Sequence, residues 1–540
     1  DTIDYVLIQW PDGKINELKN IATNQVLHLN QKDAVDKEAT VVLSDISPRK
    51  VFERDESIIS FVHHENDFVD FDRDFLIYHM LSSEGPRMSK GDVNGDGKED
   101  FYIGGSKGFA GALQVQNAHG GFVSTNEKVL EADRESEDSG SAFFDADGDG
   151  DIDLLVCSGG NEFSSSSSAL VSRLYFNDGK GNFTRSPQLL PTSVFESASV
   201  VKHADYDLDG DEDLFIGIRL KPFQYGIPVS GYILNNDGKG NFKNVSDLVA
   251  PGLKDVGMIT DAIWTDIDGD KDNDLVIVGE YMPVRIFLND KGKLIDKTDE
   301  SGLSKSNGWW NNIQSADIDH DGDMDFVLGN HGLNSRFRAS VSKPVSLYTS
   351  DFDQNGTIEH VVTLYNGEKS YPLALRHDLV SKIPSLKKKY LKYENYNDQT
   401  IEDIFTKDQL ASATRMDAYE LASCVAINQG NGKFNLQRLP IEAQYSPIYG
   451  LLVADFNGDG HMDILAGGNL YKTKPEVGRY DASYGVFLTG DGKGNFNFVS
   501  DSGFSVDGEV RGILPLIVKG SEVIMVSRNN DSILSFKLKK

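Results

Sequence analysis

DADGDGDIDLLVCSGG, residues 145–160, carries the reading of this chain. Asp145, Asp147 and Asp149 stand at positions 1, 3 and 5 of a nine-residue frame, Gly150 follows at position 6, and Asp153 closes it before the apolar run LLVC. Ca²⁺ is a hard cation that takes six to eight oxygens at about 2.3–2.6 Å. Side chains at positions 1, 3 and 5 of a tight loop converge on one point. A backbone carbonyl at position 7 and the carboxylate at position 9 complete the shell, and glycine at position 6 permits the sharp turn. Without a cation, carboxylates crowded in this way repel one another.

The frame recurs six more times, and a repeat of this kind governs the fold. DVNGDGKED offers Asp92, Asn94, Asp96 and Asp100, and DYDLDGDED offers Asp205, Asp207, Asp209 and Asp213. DIDGDKDND offers Asp266, Asp268, Asp270 and Asp274, with Lys271 where glycine is expected. DIDHDGDMD offers Asp317, Asp319, Asp321 and Asp325. DFDQNGTIE is the most degenerate copy, with Asp351, Asp353, Asn355 and Glu359, and DFNGDGHMD offers Asp455, Asn457, Asp459 and Asp463. About seven bound Ca²⁺ are therefore expected. Twenty-five carboxylates occupy these positions, and fourteen positive charges from seven ions would bring the net charge from −31 to −17. EF-hand-type loops close with an acid at position 12 between helices. Here the acid is at position 9, and FYIGG (101–105), LFIGI (214–218), LVIVGE (275–280) and ILAGG (464–468) follow as short strands.

A second element alternates with the first. RLYFNDGKGNF (173–183), YILNNDGKGNF (232–242), RIFLNDKGKL (285–294), CVAINQGNGKF (424–434) and GVFLTGDGKGNF (485–496) each run a strand into an Asn/Asp/Gly turn and out again. Two hairpins per repeat make a four-stranded blade, and blades bury their faces by stacking radially. The expected fold is an all-β propeller. Successive loops start 53, 60, 61, 51, 34 and 104 residues apart. The interval of 34 is too short for a blade, which places the loops at Asp317 and Asp351 together and gives seven blades. Eight result if the loop at Asp351 opens a blade of its own. The tail 510–540 reads as three strands, with the fourth supplied by residues before 86 to close the ring. Residues 366–421 read as a helical insertion with Thr400 and Thr406 as N-caps and a basic run at Lys387, Lys388 and Lys389.

Composition narrows the function. A net charge of −31 excludes the basic footprint that nucleic-acid binding needs. Cys157 and Cys424 sit in apolar runs as buried thiols, and no stretch has the length of a membrane span. The chain opens at Asp1 without a signal-type apolar region, so an export signal is expected upstream.

The alternation of acidic loop and NDGKGNF hairpin resembles the FG-GAP/VCBS repeats of integrin α-subunit propellers and bacterial surface proteins. DYVLIQWPDGKINELKNIATNQVLHL (4–29) resembles the later part of an ASPIC/UnbV domain. Together they resemble the bacterial relatives of the cartilage acidic protein family. This divides the chain into an ASPIC/UnbV-like part, 1–44, and a propeller, 45–540. The resemblance implies an exported component at the outer membrane, a binding or scaffold module for a protein partner or glycan. Such modules serve as accessory subunits of nutrient-uptake machinery, held at the membrane by an upstream anchor or a partner.

No nucleophile elbow, phosphate loop or HExxH zinc motif appears. His63, His64 and Glu65 form the best metal-like cluster outside the loops, expected to be structural. Trp309 and Trp310 could stack on a sugar, but one of them is expected between blades. The serine run 164–168 reads as a surface loop. Arg479, Tyr480 and Asp481, with Tyr484 in GRYDASYG and Tyr445 and Tyr449 nearby, are the candidate ligand face on the rim opposite the calcium loops. The rival expectation is a lyase or glycosidase, which needs paired carboxylates about 5–10 Å apart on the axis face. Asp481 stands there alone, so binding without catalysis is the expectation.

Overall fold

The computed structural model describes residues 2–10, 12–35, 50–192 and 195–539. The chain divides into two compact units, residues 1–49 and 50–540. The boundary expected between residues 44 and 45 lies outside the described residues. The first unit is an antiparallel hairpin of Thr2–Gln9 and Ile15–Ala22, with Gln9 opposite Ile15 and a single bridge from Ile15 to Val35.

The second unit is built of antiparallel sheets, seven of four strands and one of five among the described residues. The sheet around the opening motif shows the plan. Asp138–Phe144, Asp153–Ser158, Arg173–Asn177 and Phe183–Arg185 lie in chain order across it. The acidic loop joins the first strand to the second, and the NDGKGN turn joins the third to the fourth. The second strand is buried at every position, because neighbouring sheets cover both of its faces. That is why it reads as an unbroken apolar run rather than an alternating one.

The first strands of seven sheets are Met88–Gly91, Asp138–Phe144, Ser197–Ala204, Met258–Thr265, Asn312–Ala316, Ile448–Ala454 and Val510–Val518. Each contacts the next, and the last contacts the first, in a closed circuit. Apolar clusters fill the spaces between sheets. Trp310 is fully buried with Val276, Ile313 and Phe326, and its indole N–H donates to the Ser306 carbonyl at 3.0 Å. The final sheet, Val510–Val518, Ser521–Arg528 and Leu534–Leu538, takes its fourth strand from Phe52–Arg54, with Phe52 opposite Leu538. Phe52 packs among Phe456, Phe487 and Phe504 at ring-centroid distances of 5.1–5.6 Å.

The insertion is wider than 366–421. Asp325–Gly329 and Cys424–Asn428 pair directly as second and third strands, Phe326 opposite Ala426, so residues 330–423 leave the sheet and return to it. This excursion carries a sheet of its own, in the order Lys369–Pro372, Glu359–Asn366, Val345–Ser350 and Thr414–Ala418. The loop at Asp351 belongs to that sheet. It neither shares a sheet with the loop at Asp317 nor starts a member of the seven-strand circuit. Thr400 and Thr406 cap the short helices Ile401–Ile404 and Lys407–Ser412 through capping boxes, and Phe405 stacks on Phe352 at 4.0 Å.

Residues 70–85 cross the ends of the sheets away from the acidic loops. Buried Asp70 holds this segment together, accepting from the backbone N–H of Leu81 and Ser82 at 2.9 and 3.0 Å and from Asn161 Nδ2 at 2.8 Å. Tyr78 stacks on Trp309 at 5.2 Å, so both tryptophans are core residues.

Candidate metal centres

Each acidic loop wraps on itself before any ion is considered. The position-1 carboxylates of Asp92, Asp145, Asp205, Asp266, Asp317, Asp351 and Asp455 all accept the position-6 backbone N–H through Oδ2, at 2.8–3.2 Å. That bond demands a left-handed backbone at position 6. Six loops supply glycine there, and Lys271 adopts φ 78° in the seventh. Position 5 makes a second local turn. Asp96, Asp149, Asp209, Asp270, Asp321, Asn355 and Asp459 accept the position-7 N–H at 2.8–3.1 Å.

Position 9 does different work. Asp100, Asp153, Asp213, Asp274, Asp325 and Asp463 open their second strands and are buried to within 1%. Oδ1 of each accepts a backbone N–H at the end of the third strand or just beyond it, from Gln116, Asn177, Asn236, Asn289, Asn428 and Gly490, at 2.7–3.1 Å. In five of these six, Oδ2 accepts the position-2 N–H of its own loop at 2.8–3.1 Å. The closing carboxylate therefore joins the loop to the sheet beneath it. Glu359, in the inserted sheet, keeps the bond to Phe352 N–H at 2.9 Å.

Carboxylate oxygens from positions 1, 3 and 9 converge. In the sets Asp145, Asp147, Asp153; Asp205, Asp207, Asp213; Asp266, Asp268, Asp274; Asp317, Asp319, Asp325; and Asp351, Asp353, Glu359, one oxygen from each residue lies within 4.8 Å of the other two. These five groups could hold metal ions. The loops at Asp92 and Asp455 carry an amide at position 3, Asn94 and Asn457, in place of the third carboxylate. Oδ1 of Asp147, Asp317, Asp319 and Asp353 and Oδ2 of Asp213 are buried without a hydrogen-bond partner among the described residues. Burial, with neighbouring aspartates second, pushes Asp153, Asp213 and Asp274 up to about 7 and Asp100, Asp325 and Asp463 up to about 6. Asp147, Asp207, Asp268, Asp319 and Glu359 rise for the same reason. Unpaired, repelling, oxygen-only ligands are the donor set of a hard divalent cation.

Neighbouring loops are also tied to one another, which the sequence did not reveal. Asn177, Asn236, Asn289 and Asn428, at the NDGKGN-type turns, donate through Nδ2 to the position-2 carbonyls of Val93, Ala146, Tyr206 and Ile267 in the preceding sheet, at 2.7–3.1 Å. Gly490 stands at the equivalent place in the next turn, and there His320 and His461 meet instead, at 3.0 Å between ring nitrogens. The recurring asparagine before the turn was the available signal.

The other candidates lie apart. His63 is buried, with Nδ1 accepting from Asn530 N–H at 3.1 Å, and desolvation lowers its pKa to about 3. Glu65 accepts from Asn66 and Asn529, while His64 is exposed. The loop 469–485 follows the second strand Asp463–Gly468, at the end away from its acidic loop. In it Arg479 and Asp481 are exposed and meet at 3.4 Å, and Arg479 lies 3.5 Å over the Tyr471 ring. Tyr480 faces inward. It is 6% exposed and packs edge-on against buried His331 at 4.8 Å. Tyr445 and Tyr484 are exposed, and Tyr449 is half-buried.

Radial four-stranded sheets with acidic loops on one rim define a β-propeller of the repeat type. The family model described as FG-GAP-like repeat matches residues 92–156, 145–216 and 266–328, and that described as ASPIC and UnbV matches residues 1–36. The chain carries FG-GAP-like repeats within residues 92–216 and 266–328 and an ASPIC and UnbV segment over residues 1–36. No curated protein sequence matches it. Among solved structures it is similar to YCF48 bound to D1 peptide, at 8% identity and a TM-score of 0.40 over 86% of this chain and 96% of that one. It is similar to the exotype rhamnogalacturonan lyase YesX, at 11% identity and 0.39 over 91% and 76%. The V. cholerae biofilm matrix protein Bap1 follows at 11% and 0.32 over 89% and 91%.

Proposed function

We propose that this chain is a calcium-stabilised, seven-bladed propeller that acts as a binding or scaffold module at the bacterial cell surface. The observation that carries the reading is the set of five converging carboxylate groups, four in sheets of the circuit and one in the inserted sheet, with a buried, unpaired oxygen in four of the five. Extracellular calcium modules work with dissociation constants of about 10⁻⁴–10⁻³ M, so loops of this kind fill outside the cell. Bound ions neutralise the rim, and the asparagine bridges pass the resulting rigidity from sheet to sheet. The loops at Asp92 and Asp455, with amides at position 3, join the other five as further sites.

The partner, a protein or a glycan, docks on the opposite rim, where Arg479, Asp481 and Tyr484 are exposed. In this reading the chain is an accessory subunit of outer-membrane nutrient-uptake machinery. The test is affinity purification of the tagged chain from native membranes in 1 mM Ca²⁺, beside an Arg479→Ala/Asp481→Ala double variant. Stoichiometric outer-membrane subunits that leave with the double variant support the proposal. A chain that purifies alone from both overturns the scaffold role.

A further inference from the structure

The strands of the seven-membered circuit enclose an axial cavity of about 200 Å³. Five of them break register at matching places, between Asp138 and Gly140, Ala198 and Val200, Ile259 and Asp261, Ile448 and Gly450, and Val510 and Gly512. A bulge re-aims the extra residue. The extra residues are Ser139, Ser199, Thr260, Tyr449 and Arg511, and all five line the cavity, with Arg87 from the remaining side. The repetition of one local irregularity around an axis marks a constructed pocket.

Its chemistry runs against that of the protein. The chain carries −31, yet the charged groups around this cavity are Arg87, Lys202 and Arg511 against Asp261. Lys202 pairs with Asp261 at 3.3 Å, and Arg511 pairs with Glu509 at 2.9 Å while lying 4.4 Å over the Tyr449 ring. Arg87 is left over. Its Nη1 reaches the carbonyls of Tyr449 and Arg511 at 3.4 and 3.2 Å, and among the described residues it forms no ion pair. The hydroxyls are already used as donors. Ser139 donates to the Cys157 carbonyl at 3.3 Å, Ser199 to Ile259 at 2.7 Å and Thr260 to Trp310 at 2.7 Å. Toward the axis these three oxygens can only accept.

We propose that the axial cavity binds a small hydroxy acid or sugar acid, its carboxylate on the Arg87 guanidinium, which has no carboxylate partner among the described residues, and its hydroxyls donating to Ser139, Ser199 and Thr260. A planar guanidinium matches a carboxylate in bidentate fashion, and a ring of acceptor-only oxygens selects a ligand that brings its own O–H groups. The cavity is nearly seven times the ~30 Å³ that a water occupies in the liquid, which admits a molecule of this size. The site is separate from the acidic loops and from the outer rim, so it stands whether or not the scaffold reading does.

The test is calorimetric titration of the calcium-loaded chain with four probes: D-glycerate, D-glucuronate, D-glucose and propionate. The two acids that carry both groups should bind about tenfold or more tighter than glucose, which lacks the carboxylate, and propionate, which lacks the hydroxyls. Arg87→Gln should lose that binding while its melting temperature stays near that of the parent. Ser141→Phe narrows the cavity and leaves the Arg87 residue in place, should also lose it, and decides the matter if Arg87→Gln fails to fold. No heat from either acid, or equal heat from the parent and a folded variant, overturns the proposal.

Discussion

Asp145 and Asp153 belong to the same loop, and their replacement by alanine should have unequal effects. Asp153 is 1% exposed and accepts Asn177 N–H at 2.8 Å and Ala146 N–H at 3.0 Å. Asp153→Ala strands two buried donors at about 1–3 kcal/mol each, or about 2–6 kcal/mol together, with no ion present. Asp145 is half-buried, so water can replace it at the Gly148 and Gly150 N–H groups, and Asp145→Ala in chelator should cost about 1 kcal/mol or less. In Ca²⁺ both variants also lose one site, worth about 1.4 kcal/mol when the free ion is at ten times its dissociation constant. Thermal melts in excess chelator and in 1 mM Ca²⁺ separate the two contributions. Since 1 kcal/mol moves the midpoint of a 150–250-residue domain by about 2–4 °C, and a larger unit by less, Asp153→Ala should melt several degrees below Asp145→Ala in chelator. Equal midpoints in chelator would mean that position 9 is a ligand and nothing more.

Chelation should lower the melting temperature of the parent, and native mass spectrometry at millimolar Ca²⁺ should count seven ions, the loop at Asp351 weakest; fewer than four would refute the reading. Carboxyls raised to about 6–7 keep their protons in the apo fold up to that pH, so this group of residues makes apo stability fall as pH rises from about 4 to about 7. Buried His63, His79 and His331, lowered to about 3–4, act in the opposite sense, because the unfolded chain then holds the extra protons. They are common to both forms, so the calcium-induced rise in melting temperature should be larger at pH 8 than at pH 5.5, and a pH-independent rise counts against the loops. Lys271→Gly relieves a left-handed backbone worth about 1 kcal/mol or more and should raise the midpoint; a fall would show that the Lys271 side chain compensates for it. Tyr480→Ala should destabilise by about 3 kcal/mol, as core aromatics do. The exposed pair Arg479 and Asp481 should cost under about 1 kcal/mol when both become alanine, measured by the same melts.

What could be read from the sequence was local. An ion shell needs its ligands two residues apart, and a tight hairpin needs Asn, Asp and Gly between strands, so the loops and turns are written in short windows. Closure of the ring by Phe52–Arg54 was legible because three strands without a loop want a fourth. The insertion was drawn too narrowly because the pairing that defines it, Phe326 with Ala426, spans a hundred residues, and because the inserted sheet repeats the same acidic frame. Position 9 carries the spacing of a ligand and conceals its bonds to the third strand. The axial pocket depends on single-residue register shifts that leave the pattern of Ser199 or Thr260 unchanged. Tyr480 sits between two exposed neighbours, and only the packing of His331 shows that it turns inward.

The seam between Phe52 and Leu538 fixes the order of events during synthesis. The strand made first among the ring elements waits for the strand made last, with 479 residues between them. Phe52, Leu534 and Phe536 are buried only once they meet, so a growing chain carries two unpaired sheet edges until residues 534–538 emerge. Contacts this distant in sequence form slowly, and open edges invite pairing with other chains. A ribosome that stops before residue 534 therefore releases an open strip, prone to join its neighbours edge to edge.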